Sequence, residues 1–528
     1  MFLASAFSSL NLPSTRSSTS QGSSSSKTQR RTKFGQHVDW RLYTDGGRHL
    51  SPDELETYRF IGDPPLDAIL QTGCPNGASK GRQSIGPYDD VVAMAKECAI
   101  RRRNTKSSNL SSSEQELADF YQYYFDNAKK WFDVKEVERG RQVFLTYFPA
   151  ISLSLYYRSL VPGFSIPKIA AVLLTTRYLT PPSTREQVRE RLMDTGALLA
   201  MATASNGAAS LAPGADGWKA ALQVRVLHAK VRQRIMSQRG SRKWDTDLNG
   251  IPINQEDLAA TLLAFSSNAL LGCEMIMGRP VPRDDRLAYM TYWRYLGWLL
   301  GIPTLMDYES EKGYYSRSLE KRETPRPLDP CGEGWLPKQP DPLEHSYSIF
   351  QSIIFHILNP NETSVIIAHH LLRIGQSYPE PKDKCQANGK TTKKHADEIA
   401  GDKMYYFRCL QCRRFIGGPL ADALQLPFHP QWYIRLWLWS CSTTYLVILR
   451  IYTVVSSIAP FRNRIVKFHE RQLKRFTSMW QSTHQKRLQT KLKEKKSSAE
   501  EAPEGCPISK SESKGVCSFA LISPSIET

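Results

Sequence analysis

The chain has 528 residues, 41% of them hydrophobic and 10% aromatic, and a formal net charge of +19 at pH 7. That apolar content is enough for a large buried core. The charge sits at the ends, because residues 1–38 carry +5 and residues 461–496 carry +10, while the last 32 residues carry −3 and 39–460 only +7. With no zinc-finger pairing and no aromatic ribonucleoprotein motif, nucleic acid is excluded as a partner of the core.

Residues 1–38 are rich in Ser, Thr and Gln and contain no acid, which predicts a disordered or presequence-like tail. From 51 the pattern becomes structured, with Ser51 and Glu54 at capping-box spacing ahead of "GDPPLDAIL". A polar, Ser-rich break at 104–113 is followed by helical periodicity to about 305, with few hairpin signals. The architecture is expected to be all-α, a single large helical domain over 39–430.

Residues 183–201, "STREQVRERLMDTGALLAM", open on Ser183 and Glu186 as a second capping box, with Val188, Leu192, Thr195 and Leu199 on one stripe and Arg191 at its edge. In "RVLHAKVRQRI" (225–235) one histidine stands among four basic residues. Wound at 100° per residue, Val224, Leu227, His228, Val231 and Ile235 fall within roughly 60° of one direction. His228 therefore belongs to the apolar stripe, with Arg225, Lys230 and Arg232 flanking it. An imidazole so placed is either a satisfied core histidine or a ligand. Residues 254–278 begin at Asn254 as a cap and are uncharged from Leu258 to Cys273. That run is short for a membrane span and predicts one central buried helix.

Residues 306–345 are Pro-rich and polar and 379–404 Lys-rich, so both are expected to be loop insertions. "HH" at His369 and His370 is a poor chelating pair, since adjacent helical side chains diverge by about 100°. Cys409 and Cys412, with Cys385 and His395, offer a weak zinc spacing. The ten cysteines lack the regular spacing of a disulfide scaffold and fit a reducing compartment. Residues 432–460 concentrate Trp, Tyr and aliphatics, charge-free only between Arg435 and Arg450. They are expected to form a membrane-associated helix, spanning or lying in the interface, followed by a basic helical then disordered tail over 461–528 suited to an anionic leaflet. No GxGxxG, Walker, HExxH or GxSxG pattern is present.

Taken in order, "GDPPLDAIL", "WFDVKEVERGRQVF" (131–144), "AVLLTTRYL" (171–179), "RERLMDT" (189–195), "LAPGADGW" (211–218), "RVLHAKVR" and "GIPINQEDLAATLLAF" (250–265) resemble one family across about 62–303. It is the domain shared by latex-clearing rubber oxygenases and the fungal ER-bound oxygenase of mycophenolic acid biosynthesis. The resemblance implies a globin-like core holding haem b, with His228 as axial iron ligand. It further implies Arg191 and Thr195 on the distal side, Arg191 for a haem propionate or substrate oxygen and Thr195 to donate to dioxygen. Two departures stand out: Asp194 replaces a lysine that precedes this threonine in rubber oxygenases, and Thr175 and Thr176 stand where those enzymes carry a glutamate base.

The expectation is a haem-b oxygenase acting with O2 on a lipophilic, isoprenoid- or polyketide-like substrate, with C=C cleavage in fungal secondary metabolism as the setting. It would be membrane-associated, with the ER favoured and a mitochondrial or cytoplasmic location as the alternative. The alternatives are a non-catalytic helical membrane-associated protein on the same fold and a cofactor-free isomerase.

Overall fold

A computed structural model describes residues 29–72, 90–104, 110–177, 180, 183, 185–204, 210–309, 325–332, 342–373 and 403–500. It opens on an antiparallel hairpin, β1 (Gln29–Lys33) and β2 (Gln36–Trp40), in the register Gln29 opposite Trp40 to Lys33 opposite Gln36. Phe34 and Gly35 turn it with φ of 48° and 75°, the left-handed pair that a two-residue hairpin needs. Trp40 stacks on His49 at 4.4 Å and meets Phe355 at 5.0 Å. Residues 29–38 of the tail expected over 1–38 form this hairpin, held by the apolar anchor of Trp40, and residues 1–28 lie outside the described residues.

The helices follow, each started by local chemistry. Ser51 and Glu54 form the expected capping box of α1 (Pro52–Arg59), and α2 (Pro64–Thr72) and α3 (Val91–Asn104) come next. A second box, Ser111 with Glu114, begins α4 (Ser112–Trp131), and Asp133 caps α5 (Val134–Thr146). Helix α6 (Phe148–Ser154) continues through a π-helical turn, Leu155–Leu160, to Phe164, where the chain bends by 85° into α7 (Pro167–Thr176). Helices α8 (Arg185–Ala204) and α9 (Asp216–Met236) carry the sequence-predicted site residues. Ser183 donates its hydroxyl to the Arg177 carbonyl at 3.0 Å; residue 184 of the expected cap lies outside the described residues.

The helix expected over 254–278 is two, α10 (Gln255–Phe265), capped by Asn254, and α11 (Ser267–Met277). Ser266, at φ −95° and ψ −99°, breaks them apart. Then come α12 (Arg283–Leu299), α13 (Pro342–Ile357), α14 (Glu362–Leu372), α15 (Lys403–Ile416), α16 (Gly418–Ala423), α17 (Trp432–Ser457) and α18 (Ala459–Glu500). The protein is predominantly all-α, as expected. Most of the stretches expected as insertions, 310–324, 333–341 and 379–402, lie outside the described residues.

One contiguous apolar core runs from Leu50 to Trp480. Helices α5 and α12 approach closely at Gly140, where a Cβ would lie 2.1 Å from the Ala288 carbonyl oxygen. The basic tail helix is part of this core, against expectation. In α18, Arg462 pairs with Asp285 at 3.0 Å, His469 Nδ1 bonds the Leu145 carbonyl at 2.7 Å, and Glu470 meets Arg141 at 2.7 Å. Trp480 Nε1 donates to Asp194 Oδ1 at 2.8 Å.

Helix α17 is turned inside out. Its buried positions include Ser442, Thr453 and Ser456 beside Leu438 and Leu449, whereas Trp432, Leu436, Trp437, Ile448 and Ile451 are exposed. Among the described residues two segments are long and apolar enough to cross a membrane by length and composition, Gln255–Met277 and Trp432–Ser457. The first is 67% buried within the protein and the second only 22%. The former is therefore accounted for by the core.

Candidate functional site around His228

His228 lies at the middle of α9. Its stripe packs as the periodicity predicts, with Val224, Val231 and Ile235 buried and Leu227 half-buried. Val231 and Ile235 meet Trp244 and, on α7, Ala171 and Val172. The imidazole itself is half-buried. It makes no hydrogen bond among the described residues, and its Nδ1 is enclosed without a partner.

Burial and then the nearby Arg232 push its pKa down to about 4, against a smaller opposing pull from Asp63. The ring is therefore neutral at pH 7 and keeps one nitrogen lone pair available for a ligand.

Two of the three flanking cations, Arg225 and Arg232, are buried. Arg225 is buried and holds Asp63 through two bonds, Nε to Oδ2 at 2.6 Å and Nη2 to Oδ1 at 2.8 Å. Its guanidinium also lies over the rings of Tyr124 and Phe120, 4.6 and 5.4 Å from their centroids. Arg232 is buried against Asp67 and donates to the carbonyls of Pro252 at 3.1 Å and Ile253 at 2.9 Å. A third pair, Arg59 with Glu256 and Asp257 at 3.3 and 3.1 Å, joins α1 to α10. These pairs explain why charged residues punctuate otherwise apolar segments.

Sequence reasoning missed them, although one signal was present. Arg225 and Arg232 are seven residues apart, on one helical face, and Asp63 and Asp67 are four apart. Gly301, at φ +96°, leaves the room: a Cβ there would lie 2.8 Å from Arg225 Nε and 2.9 Å from Asp63 Oδ2.

On α8, Arg191 is buried and donates Nη1 to the carbonyl of Arg177, the left-handed residue that ends α7. Thr195 donates its hydroxyl to the Arg191 carbonyl at 3.2 Å. One side chain thus ties α8 to the end of α7, and the other bonds back into its own helix. Asp194 is buried and accepts a hydrogen bond from Trp480 Nε1 of α18. Thr175 and Thr176 likewise bond their own helix, to the carbonyls of Ala171 and Val172, both at 2.8 Å.

Cys412 is buried and donates to the Tyr157 carbonyl at 3.3 Å, while Cys385 and His395 lie outside the described residues. His369 is taken up by Tyr405 at 2.7 Å and the Leu424 carbonyl at 3.2 Å. Among the described residues no three His, Cys, Asp or Glu side chains gather as metal ligands.

The all-α core thus presents on α9 a neutral imidazole between apolar neighbours, its Nδ1 without a partner. Residues 164–330 match the family described as "ER-bound oxygenase mpaB/B'/Rubber oxygenase, catalytic domain". Arg191, Thr195 and His228 all fall within that match. A solved structure, latex clearing protein LCP in the closed state, is similar at a TM-score of 0.43 and 15% identity, covering 79% of this chain and 90% of that one. No curated protein matches the chain.

Proposed function

We propose that the protein is a haem-b-dependent oxygenase that uses O2 to attack a lipophilic, isoprenoid- or polyketide-like substrate, with cleavage of a C=C bond as the reaction and secondary metabolism as its setting. The observation that carries this is His228. A single imidazole can hold iron where a macrocycle supplies the other donors, and a neutral ring without a competing hydrogen bond meets that need. The donor chemistry therefore fits haem, with one departure: the enclosed Nδ1 has no carbonyl or carboxylate to orient the ring.

Bound haem would supply the oxygen-activating redox chemistry. His228 would hold the haem iron, kept neutral by its apolar stripe and by Arg232. Arg191 would hold a propionate or a substrate oxygen while its Nη1 stays on the Arg177 carbonyl. Thr195 would turn its hydroxyl from the Arg191 carbonyl to hydrogen-bond dioxygen or substrate. Without a carboxylate at 175 or 176, no base from α7 takes a substrate proton.

The outward apolar face of α17 supports association with a membrane, with the ER as the favoured site. Its hydroxyl-bearing face is spent on the protein, so hydrocarbon is the medium its Trp, Leu and Ile side chains suit. The test of the reaction is O2 consumption by haem-loaded full-length protein supplied with an isoprenoid, together with mass detection of carbonyl products. Uptake with aldehyde or ketone formation is expected, lost in His228→Ala. Carbonyl formation unchanged in His228→Ala would overturn the assignment.

A further inference from the structure

The π-helical turn after α6 carries Arg158 and Ser159, and such turns commonly serve functional sites. Arg158 donates Nε to Asn268 Oδ1 at 2.9 Å and Nη1 to the Phe415 carbonyl at 2.7 Å. No carboxylate pairs with it among the described residues. Burial holds its pKa down to about 10, with Tyr347 the only opposing influence. Asn268 in turn donates Nδ2 to Ser159 Oγ at 2.9 Å, which leaves the Ser159 O–H to donate.

Both residues line a pocket that opens to solvent. Arg158 is the sole charged residue of its lining, with polar neighbours Ser159, Asn268, Thr261 and Gln36. Phe164, Ile169, Phe350, Ile354 and Leu420 contribute to its apolar wall. No lining residue comes from α8 or α9. A half-buried cation with no carboxylate partner among the described residues is costly, and the apolar walls offer nothing to offset it.

We propose that this pocket binds a lipophilic monoanion of the long-chain carboxylate class, its head on Arg158 and Ser159 and its chain along Phe164, Ile169 and Phe350. One cation and no other lining charge set the ligand's charge, since a monoanion leaves the site neutral whereas a dianionic phosphate monoester would bury a surplus charge. The site stands whatever His228 binds.

Displacement of a fluorescent fatty acid from the intact chain tests it, with palmitate, hexadecanol and hexadecyl phosphate as competitors below their micellar concentrations. Palmitate should displace the probe, with hexadecanol about tenfold weaker or more, the scale of a lost charge-assisted hydrogen bond. Arg158→Met should abolish that difference. Gly163→Phe is the second variant, because a Cβ at Gly163 meets nothing within 4 Å and the ring would fill the pocket. It should weaken palmitate by at least about tenfold, with the melting temperature unchanged. Equal binding of acid and alcohol, tighter binding of hexadecyl phosphate than of palmitate, or undiminished palmitate binding in Gly163→Phe would each overturn the proposal. Haem content and oxygenase activity do not enter these readouts.

Discussion

Arg225 and Asp63 share a buried two-bond ion pair, at 2.6 and 2.8 Å, that fastens the helix bearing His228 to the segment entering α2. Removing one partner strands the other charge in the core. Asp63→Ala should therefore cost about 3–5 kcal/mol in urea unfolding. The paired change Asp63→Leu with Arg225→Met should cost much less than the sum of the two single changes. Additive losses would show that the two groups act independently.

The lowered pKa of His228 gives a pH signature. The folded imidazole resists protonation down to about pH 4, whereas in the unfolded chain it takes a proton near 6.5. The unfolded state thus binds more protons between those values, and stability falls as pH drops from about 6.5 towards 4. In His228→Leu that part of the slope should vanish, as measured by unfolding at a series of pH values. An unchanged slope would mean that His228 titrates normally in the folded state.

Trp480 on α18 packs into the core and bonds Asp194. Trp480→Ala should cost about 3 kcal/mol or more and speed amide exchange along α18. Protection of α18 equal to that of the parent protein would show that the helix is held by its ion pairs instead.

How far the sequence reaches can be judged from these residues. Ser51 with Glu54, and the Val224–Ile235 stripe, were legible because they depend on neighbours three to seven positions away. The break at Ser266, the docking of α18 and the burial of Arg225 and Arg232 were not, because each depends on a partner far along the chain. A composition of twelve cations against two acids over 461–496 reads as a solvated tail. It takes Asp285, Arg141, Leu145 and Asp194, all distant in sequence, to fix that helix on the core. For the site, the position of His228 was legible, but the arginine–aspartate frame around it was visible only as a spacing.

The exposed face of α17 makes the membrane claim testable without disturbing the core. Leu436→Lys, Ile448→Lys and Ile451→Lys together alter only exposed positions and should leave the melting temperature nearly unchanged. They should release the protein from membranes in alkaline-carbonate extraction. A chain ending before Trp432 is a poorer test, because it also loses the docked α18. Retention of the triple-lysine protein in the membrane fraction would point to another anchor.

The visible spectrum of the purified protein after haem addition bears most directly on the central claim. Full-length protein should show a Soret band at one haem per chain, and His228→Ala should lose the band or bind haem far more weakly while keeping its helical circular dichroism. A full-length protein that folds yet binds no haem, or a His228→Ala variant with an unaltered Soret band, would contradict it.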